Sequence, residues 1–246
     1  MTEIIEFTNA YGQRLVGELD WVPDQPLVIC AHGLQSSRAA TKLRALCDSL
    51  RVAEISSLRF DFAGRGDSEG EFFDVTYSRQ IDDLKSAIDY CEERLGLRKF
   101  GLMGSSMGGA VSLLVAGRDP RIQAVCTVAA IGYPSELEER YPLKTRGWRE
   151  RGFVELDGEE RLGKAFLEDA SSHDVMRVVS WIDAPMLVVH GTDDAVIPIA
   201  DADDIAASSQ NVEMLLVEGA DHRFSEPRHL ESLVHEAVEF FANHLT

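Results

Sequence analysis

Apolar residues along this chain alternate between two spacings. The run Leu27-Val28-Ile29-Cys30-Ala31 is apolar without interruption, as expected of a strand buried on both faces. Similar short runs recur at 55–62, 100–103, 123–131, 185–189 and 214–217. Near the start, strand patterns at 4–8 and 15–21 flank Tyr11-Gly12-Gln13, which predicts a hairpin. Between the later strands the spacing becomes helical. Leu43, Leu46, Cys47 and Leu50 form one stripe. Tyr77, Ile81, Leu84, Ile88, Cys91 and Leu95 form a longer one, closed by Gly96. Residues 110–115 are apolar on all sides and predict a helix inside the domain, ended by Gly117 and Pro120. A helix is expected at 200–208. A last amphipathic helix carries Leu230, Leu233, Val234, Ala237, Phe240 and Phe241 on one face.

Eight strands alternating with helices predict an α/β fold. The sheet should be mostly parallel, with helices on both faces. Ligands on such sheets gather beyond the carboxyl ends of the strands. The alternation breaks down at 132–180, a stretch holding Tyr133, Tyr141, Trp148 and Phe153 among many charges. It is too long for a structureless loop in a compact domain, so it reads as an insertion that covers something.

Composition narrows the picture. A chain of 246 residues that is 45% apolar suits one globular domain spanning 1–246. The formal net charge of -18 argues against nucleic acid or anionic lipid as a partner, since both need clustered Lys and Arg. Cys30 and Cys126 lie in strand runs, and Cys47 and Cys91 lie on helix stripes. All four read as small core residues without metal-ligand spacing. Met1-Thr2-Glu3-Ile4-Ile5-Glu6 lacks a basic region followed by an apolar one, and no apolar run reaches membrane-spanning length. A soluble, cytoplasmic protein is expected.

The chemistry points to Met103-Gly104-Ser105-Ser106-Met107-Gly108-Gly109, which follows a strand and precedes the buried helix. Its G-x-S-x-G centres on Ser106. This spacing suits a sharp strand-to-helix turn that holds a strained serine in the open, with small residues where side chains would clash. The helix start brings free N–H groups to the same place. Ser105 is the competing hydroxyl, one residue off the motif, and reads as a residue for packing or a turn hydrogen bond.

A serine nucleophile needs a base, and the base needs an orienting acid. His222 is the expected base, because it lies in a loop after the last strand, beside Gly219. His190 reads as a packed core histidine, and His173 belongs to the insertion. His229, His235 and His244 read as residues on a solvated helix face. The acid is Asp194 or Asp193, in Gly191-Thr192-Asp193-Asp194 after the preceding strand, with Asp194 preferred and Asp193 expected to bond local backbone N–H groups. The oxyanion of the tetrahedral intermediate needs two donors. The backbone N–H of Met107 is one. The other is expected from Ala31-His32-Gly33-Leu34, where Gly33 lets the chain turn inward and Leu34 supplies the N–H.

Taken together, Ser106, Asp194, His222 and His32-Gly33-Leu34 closely resemble the α/β-hydrolase superfamily. Asp61-Phe62-Ala63-Gly64-Arg65-Gly66-Asp67-Ser68 is similar to its D-x-x-G-x-G-x-S turn. Gly191-Thr192-Asp193-Asp194-Ala195-Val196-Ile197-Pro198 is similar to its acid loop, which places the acid at Asp194. The resemblance covers nearly the whole chain. It implies an eight-stranded α/β-hydrolase sheet with a cap at about 132–180. Within the superfamily the chain looks most like small bacterial esterases of the cinnamoyl and feruloyl kind, with H-G-L where those carry H-G-F. Acylglycerol lipases and serine aminopeptidase-like proteins share the same core pattern.

The resulting expectation is a carboxylic-ester hydrolase that acts on a small-molecule ester through an acyl-enzyme on Ser106, with no metal and no organic cofactor. Amidase, thioesterase and acyl-transfer chemistry fit the same residues. A ligand-binding signalling protein with a retained triad is a third reading. The four aromatic residues of the insertion either line an acyl or aryl pocket or form the insertion's own core.

Overall fold

Two antiparallel strands open the computed structural model, which describes residues 2–140, 148–156 and 160–245. They are β1, Thr2–Thr8, and β2, Arg14–Asp20. Asn9 makes the turn between them: its Oδ1 accepts the N–H groups of Tyr11 and Gln13 at 3.0 and 2.9 Å. Gly12 there takes a φ of 76°, open to glycine at little cost.

Alternation then proceeds through β3 (Leu27–Ala31), α1 (Thr41–Val52), β4 (Ser56–Phe60), α2 (Tyr77–Leu95), β5 (Phe100–Ser105), α3 (Met107–Ala116) and β6 (Ile122–Val128). Small elements follow: α4 (Leu137–Arg140), α5 (Trp148–Arg151), the hairpin β7 (Phe153–Glu155) with β8 (Arg161–Gly163), α6 (Ala165–Ala170) and α7 (Val175–Val179). The main alternation resumes with β9 (Met186–Gly191), α8 (Ile199–Ser208), β10 (Val212–Val217) and α9 (Pro227–His244).

The main sheet has eight strands in the order β1-β2-β4-β3-β5-β6-β9-β10. The pairings of β1 with β2 and of β2 with β4 are antiparallel, and the others are parallel. The chain thus has the mostly parallel α/β sheet expected from its alternation, with the eight strands that the α/β-hydrolase resemblance implies. Strand periodicity divides the core. Leu27, Ile29 and Ala31 face the side covered by α2 and α3, while Val28 and Cys30 face the side covered by α1 and α9. All four cysteines are buried and free. The helix expected at 110–115 begins earlier, at Met107, and is buried from Met107 to Val115.

One histidine expectation is corrected. His229 is buried on α9 rather than solvated, because it continues the inward stripe of Leu233, Ala237 and Phe240. His235 is exposed beside Glu239, and His244 lies 3.3 Å from Glu213.

The register sets the functional edge. Ala31 pairs with Gly104, Ser105 with Val128, Val128 with Val189, and Gly191 with Val217. Five neighbouring parallel strands therefore end level with one another. Gly108 locks this edge: a Cβ there would run into the carbonyl oxygens of Ala31 and His32. Gly108→Ala should lower the unfolding free energy by about 1–3 kcal/mol, as overpacking typically does. Chemical denaturation measures it, and wild-type stability in the variant would contradict the close approach.

Candidate active site

Ser106 stands between β5 and α3 with φ 56° and ψ -121°, a backbone state that a non-glycine residue rarely holds. The surroundings impose it. Ser106 N–H donates to Val128 O at 2.9 Å, while its own carbonyl accepts from Gly109 at 3.0 Å and from Ala110 at 3.3 Å. At Gly104 a Cβ would collide with Gly108 O and with the Ser112 hydroxyl. Ser106 is partly exposed, while Ser105 is buried at the end of β5. Met107 is the first residue of α3, so its N–H is among the helix-start donors that have no partner within the helix.

The loop after β3 runs alongside. A Cβ on Gly33 would lie 3.3 Å from Ser106 Cβ and 3.8 Å from its Oγ. The Gly33 carbonyl is held twice, by His32 Nδ1–H at 2.7 Å and by Ser36 N–H at 3.2 Å. The same planar trans peptide carries the Leu34 N–H on its opposite edge, so fixing the carbonyl also fixes that donor. His32 is itself anchored, its Nε2 accepting the Phe62 N–H at 3.1 Å. Burial pulls the His32 pKa down to about 4, which keeps the ring neutral with its proton on Nδ1.

The loops after β9 and β10 bring Asp194 and His222 together. His222 Nδ1–H donates to Asp194 Oδ2 at 2.7 Å. Asp194 Oδ1 accepts the N–H groups of Val196 and Ile197 at 2.8 and 2.9 Å. Burial pushes the Asp194 carboxyl up, but the His222 bond and the two backbone N–H groups outweigh it and hold the pKa below the usual carboxylate value. Asp193 is exposed and does not take the turn's N–H groups as expected; they go to Asp194 instead. The physical reason is direction: Asp194 points inward along the turn, and its neighbour points out. His190 is buried behind the acid, with Nε2–H donating to Ile197 O at 3.0 Å and lying 3.5 Å from Asp194 Oδ2. It is the packed histidine that was expected, and it also braces the residue whose N–H holds the acid.

The stretch from 132 to 180 touches this arrangement from two sides. Ile131 N–H lies 3.4 Å from Ser106 O, and the next residue, Gly132, donates to the buried Asp201 of α8 at 2.8 Å. Arg140 pairs with Asp201 at 3.0 Å, and Tyr133 donates its hydroxyl to Asp204 at 2.7 Å. On the other side Glu160 pairs with Arg65 and accepts from Gln35 at 3.2 Å, beside the loop after β3. Trp148 is buried, stacked on Phe166 at 5.9 Å, with Tyr77 5.4 Å from the same ring. It joins the main core on the side of the sheet covered by α2 and α3. Phe153 is half-buried between Arg151 and Arg161, and Tyr141 lies outside the described residues. The Arg65–Glu160 and Gln35–Glu160 contacts escaped the sequence reading. They join residues 95 and 125 positions apart, and no local pattern announces such a pair.

Comparison with known proteins identifies the family and the fold. The family model described as serine aminopeptidase, S33 (Hydrolase_4) matches residues 23–170, more than half of the chain. That span includes Ser106 and stops short of Asp194 and His222. The bovine protein named palmitoyl-protein thioesterase ABHD10, mitochondrial, is 24% identical over 241 residues, covering 94% of this chain and 76% of its own length. Among solved structures, Est1E from Butyrivibrio proteoclasticus with ferulic acid bound superposes with a TM-score of 0.90 at 22% identity, covering 98% of each chain. Mouse alpha/beta hydrolase domain-containing protein 10 gives 0.82 at 19% identity, over 98% of this chain and 99% of its own. At these identities the structural likeness establishes the fold.

The neutral His32 gives a pH test. Folding holds its pKa near 4 against an ordinary value of 6.5, so the unfolded chain binds more protons in that window. Its contribution is complete above pH 6.5 and is lost as pH falls through 4. The stability gap between wild type and His32→Asn should therefore narrow across this range in denaturant titrations. A gap independent of pH would contradict a neutral, buried His32.

Proposed function

Because the chain belongs to the serine aminopeptidase S33 family of α/β-hydrolases, we propose that it is a serine hydrolase that cleaves carboxylic esters through an acyl-enzyme on Ser106. The observation that carries this reading is the left-handed Ser106, set against Gly33, at the same sheet edge from which the loops of the bonded Asp194–His222 pair leave. In this mechanism His222 Nε2 takes the Ser106 proton as Oγ attacks the acyl carbon. Asp194 holds the ring in the tautomer that leaves Nε2 free to accept, and it stabilises the imidazolium that forms. The backbone N–H groups of Leu34 and Met107 receive the oxyanion, and each such donor is worth about 10²–10³-fold in rate. His222 then protonates the leaving oxygen. In the second half it activates water, which releases the acid and restores the serine.

Residues 132–180 are proposed as the cap over this site. This reading is supported by Ile131, whose N–H meets the Ser106 carbonyl just before Gly132, and by Glu160, which accepts from Gln35 in the loop after β3. The substrate is proposed to be a small-molecule ester, its acyl part lying under the cap. Among the described residues no helix is long and apolar enough to cross a membrane. Cytoplasmic residence is part of the proposal.

Thioester cleavage is the second reading, favoured by the palmitoyl-protein thioesterase name carried by the ABHD10 relatives. The two readings differ in the leaving group. A thiolate departs without a proton, whereas an alkoxide needs one from His222. The test is a panel of p-nitrophenyl esters of graded acyl length, matching acyl thioesters and amino-acid anilides. Esters should be cleaved with the highest kcat/KM, and Ser106→Ala should lose about 10³-fold or more on every substrate. Thioesters leading the panel would move the assignment to the second reading. A Ser106→Ala enzyme with wild-type turnover would end both.

A further inference from the structure

The base loop has a partner outside the triad. Lys42 is the second residue of α1, which begins just after the loop that carries His32, Gly33 and Leu34. Its Nζ donates to the backbone carbonyl of His222 at 2.9 Å and lies 5.4 Å from the centre of the Phe224 ring. Phe224 is buried and holds a φ of 56°, so the turn just beyond His222 is itself strained.

The two ends of this loop are secured differently. On the near side it is stitched to the acid loop: Asp193 N–H donates to Ala220 O at 3.0 Å, and Gly219 N–H donates to the Thr192 hydroxyl at 2.8 Å. On the far side the Asp221 carboxylate takes the N–H and hydroxyl of Ser225 at 2.8 and 2.7 Å, which closes the turn upon itself. His222 lies between these two halves. The bond from Lys42 ties that midpoint to α1, which packs on the same face of the sheet as α9.

We propose that Lys42 is a positioning residue for the general base. Its ammonium grips the His222 carbonyl and covers the Phe224 ring, so that the imidazole keeps one edge on Asp194 and presents the other to Ser106. The proposal rests on His222 acting as the base and adds what aims it. The charge balance around Lys42 makes the grip sensitive to pH. Burial pulls its pKa down to about 8. Asp194 and Asp221 pull the other way, and Arg223 reinforces the fall. Above that pH the side chain gives a proton to solvent and becomes a neutral amine, a weaker donor to the same carbonyl.

The test compares Lys42→Met, which keeps the apolar stem, with Lys42→Arg, which keeps the charge. Lys42→Met should lose about 10–100-fold in kcat with KM within about twofold, the pattern of a misaimed catalytic group. Lys42→Arg should recover most of kcat. The wild-type kcat should fall above about pH 8, and in Lys42→Arg that fall should move to higher pH, since arginine does not titrate there. A Lys42→Met enzyme with wild-type kcat would overturn the proposal. So would a Lys42→Arg enzyme that keeps the wild-type alkaline fall.

A substrate-free measurement separates this proposal from the functional reading. In nitrogen-15 histidine spectra the His222 Nδ1–H signal should shift as pH passes about 8 in wild type and hold still in Lys42→Arg. A signal that shifts equally in both rejects Lys42 even if the enzyme turns over. A wild type that cleaves nothing on the panel rejects the esterase reading and leaves the spectra to decide on Lys42.

Discussion

A serine with a φ of 56° between a strand and a helix survives only where the surrounding chain holds it there. Such a state costs on the order of 1–3 kcal/mol and must be over-determined by its neighbours. Here the restraint is backbone on backbone. Val128 O takes the Ser106 N–H, and Gly104 and Gly108 keep β5, α3 and the end of β3 within contact of one another. The parallel register of the sheet follows the same constraint. The elbow forms only if β3, β5 and β6 end level, and β9 and β10 are then carried to the same edge by their own pairings.

From that edge outward, each group of the proposed machinery is held by a residue outside it. His32 is neutral and fixes the peptide plane that ends in the Leu34 N–H. Two turn amides and the brace of His190 on Ile197 hold Asp194 as a carboxylate. Fixed donors and charges of this kind need no reorganisation when charge develops, which is where most enzymatic stabilisation arises. The stretch proposed as a cap is held by polar contacts to α8 and to Arg65, so its flanks are tied to the helix that follows the acid loop and to the turn after β4.

Most of this fold could be read from spacing. Strand and helix periods placed every main element within a few residues, because each buries a regular stripe. The elbow and both late loops were legible for the same reason: Ser106, Asp194 and His222, the proposed triad, each follow a strand end closely. What escaped has physical causes. His229 lies on the stripe of Leu233 and Ala237, and its polarity argued falsely for solvent. Trp148 packs on Phe166 in a segment of very short elements with no usable period. Lys42 meets His222 across 180 positions, through a backbone carbonyl, and nothing local to either residue signals such a bond.

The central claim is that Ser106 alone is activated, by a base and an oxyanion site aimed at one hydroxyl. Labelling with a fluorophosphonate, followed by intact-mass and peptide mapping, tests it most directly, because the reagent bonds only to an activated nucleophile. The account predicts one adduct per chain, on Ser106, with labelling lost in His222→Ala. An adduct on Ser105, or labelling that survives without His222, would contradict it.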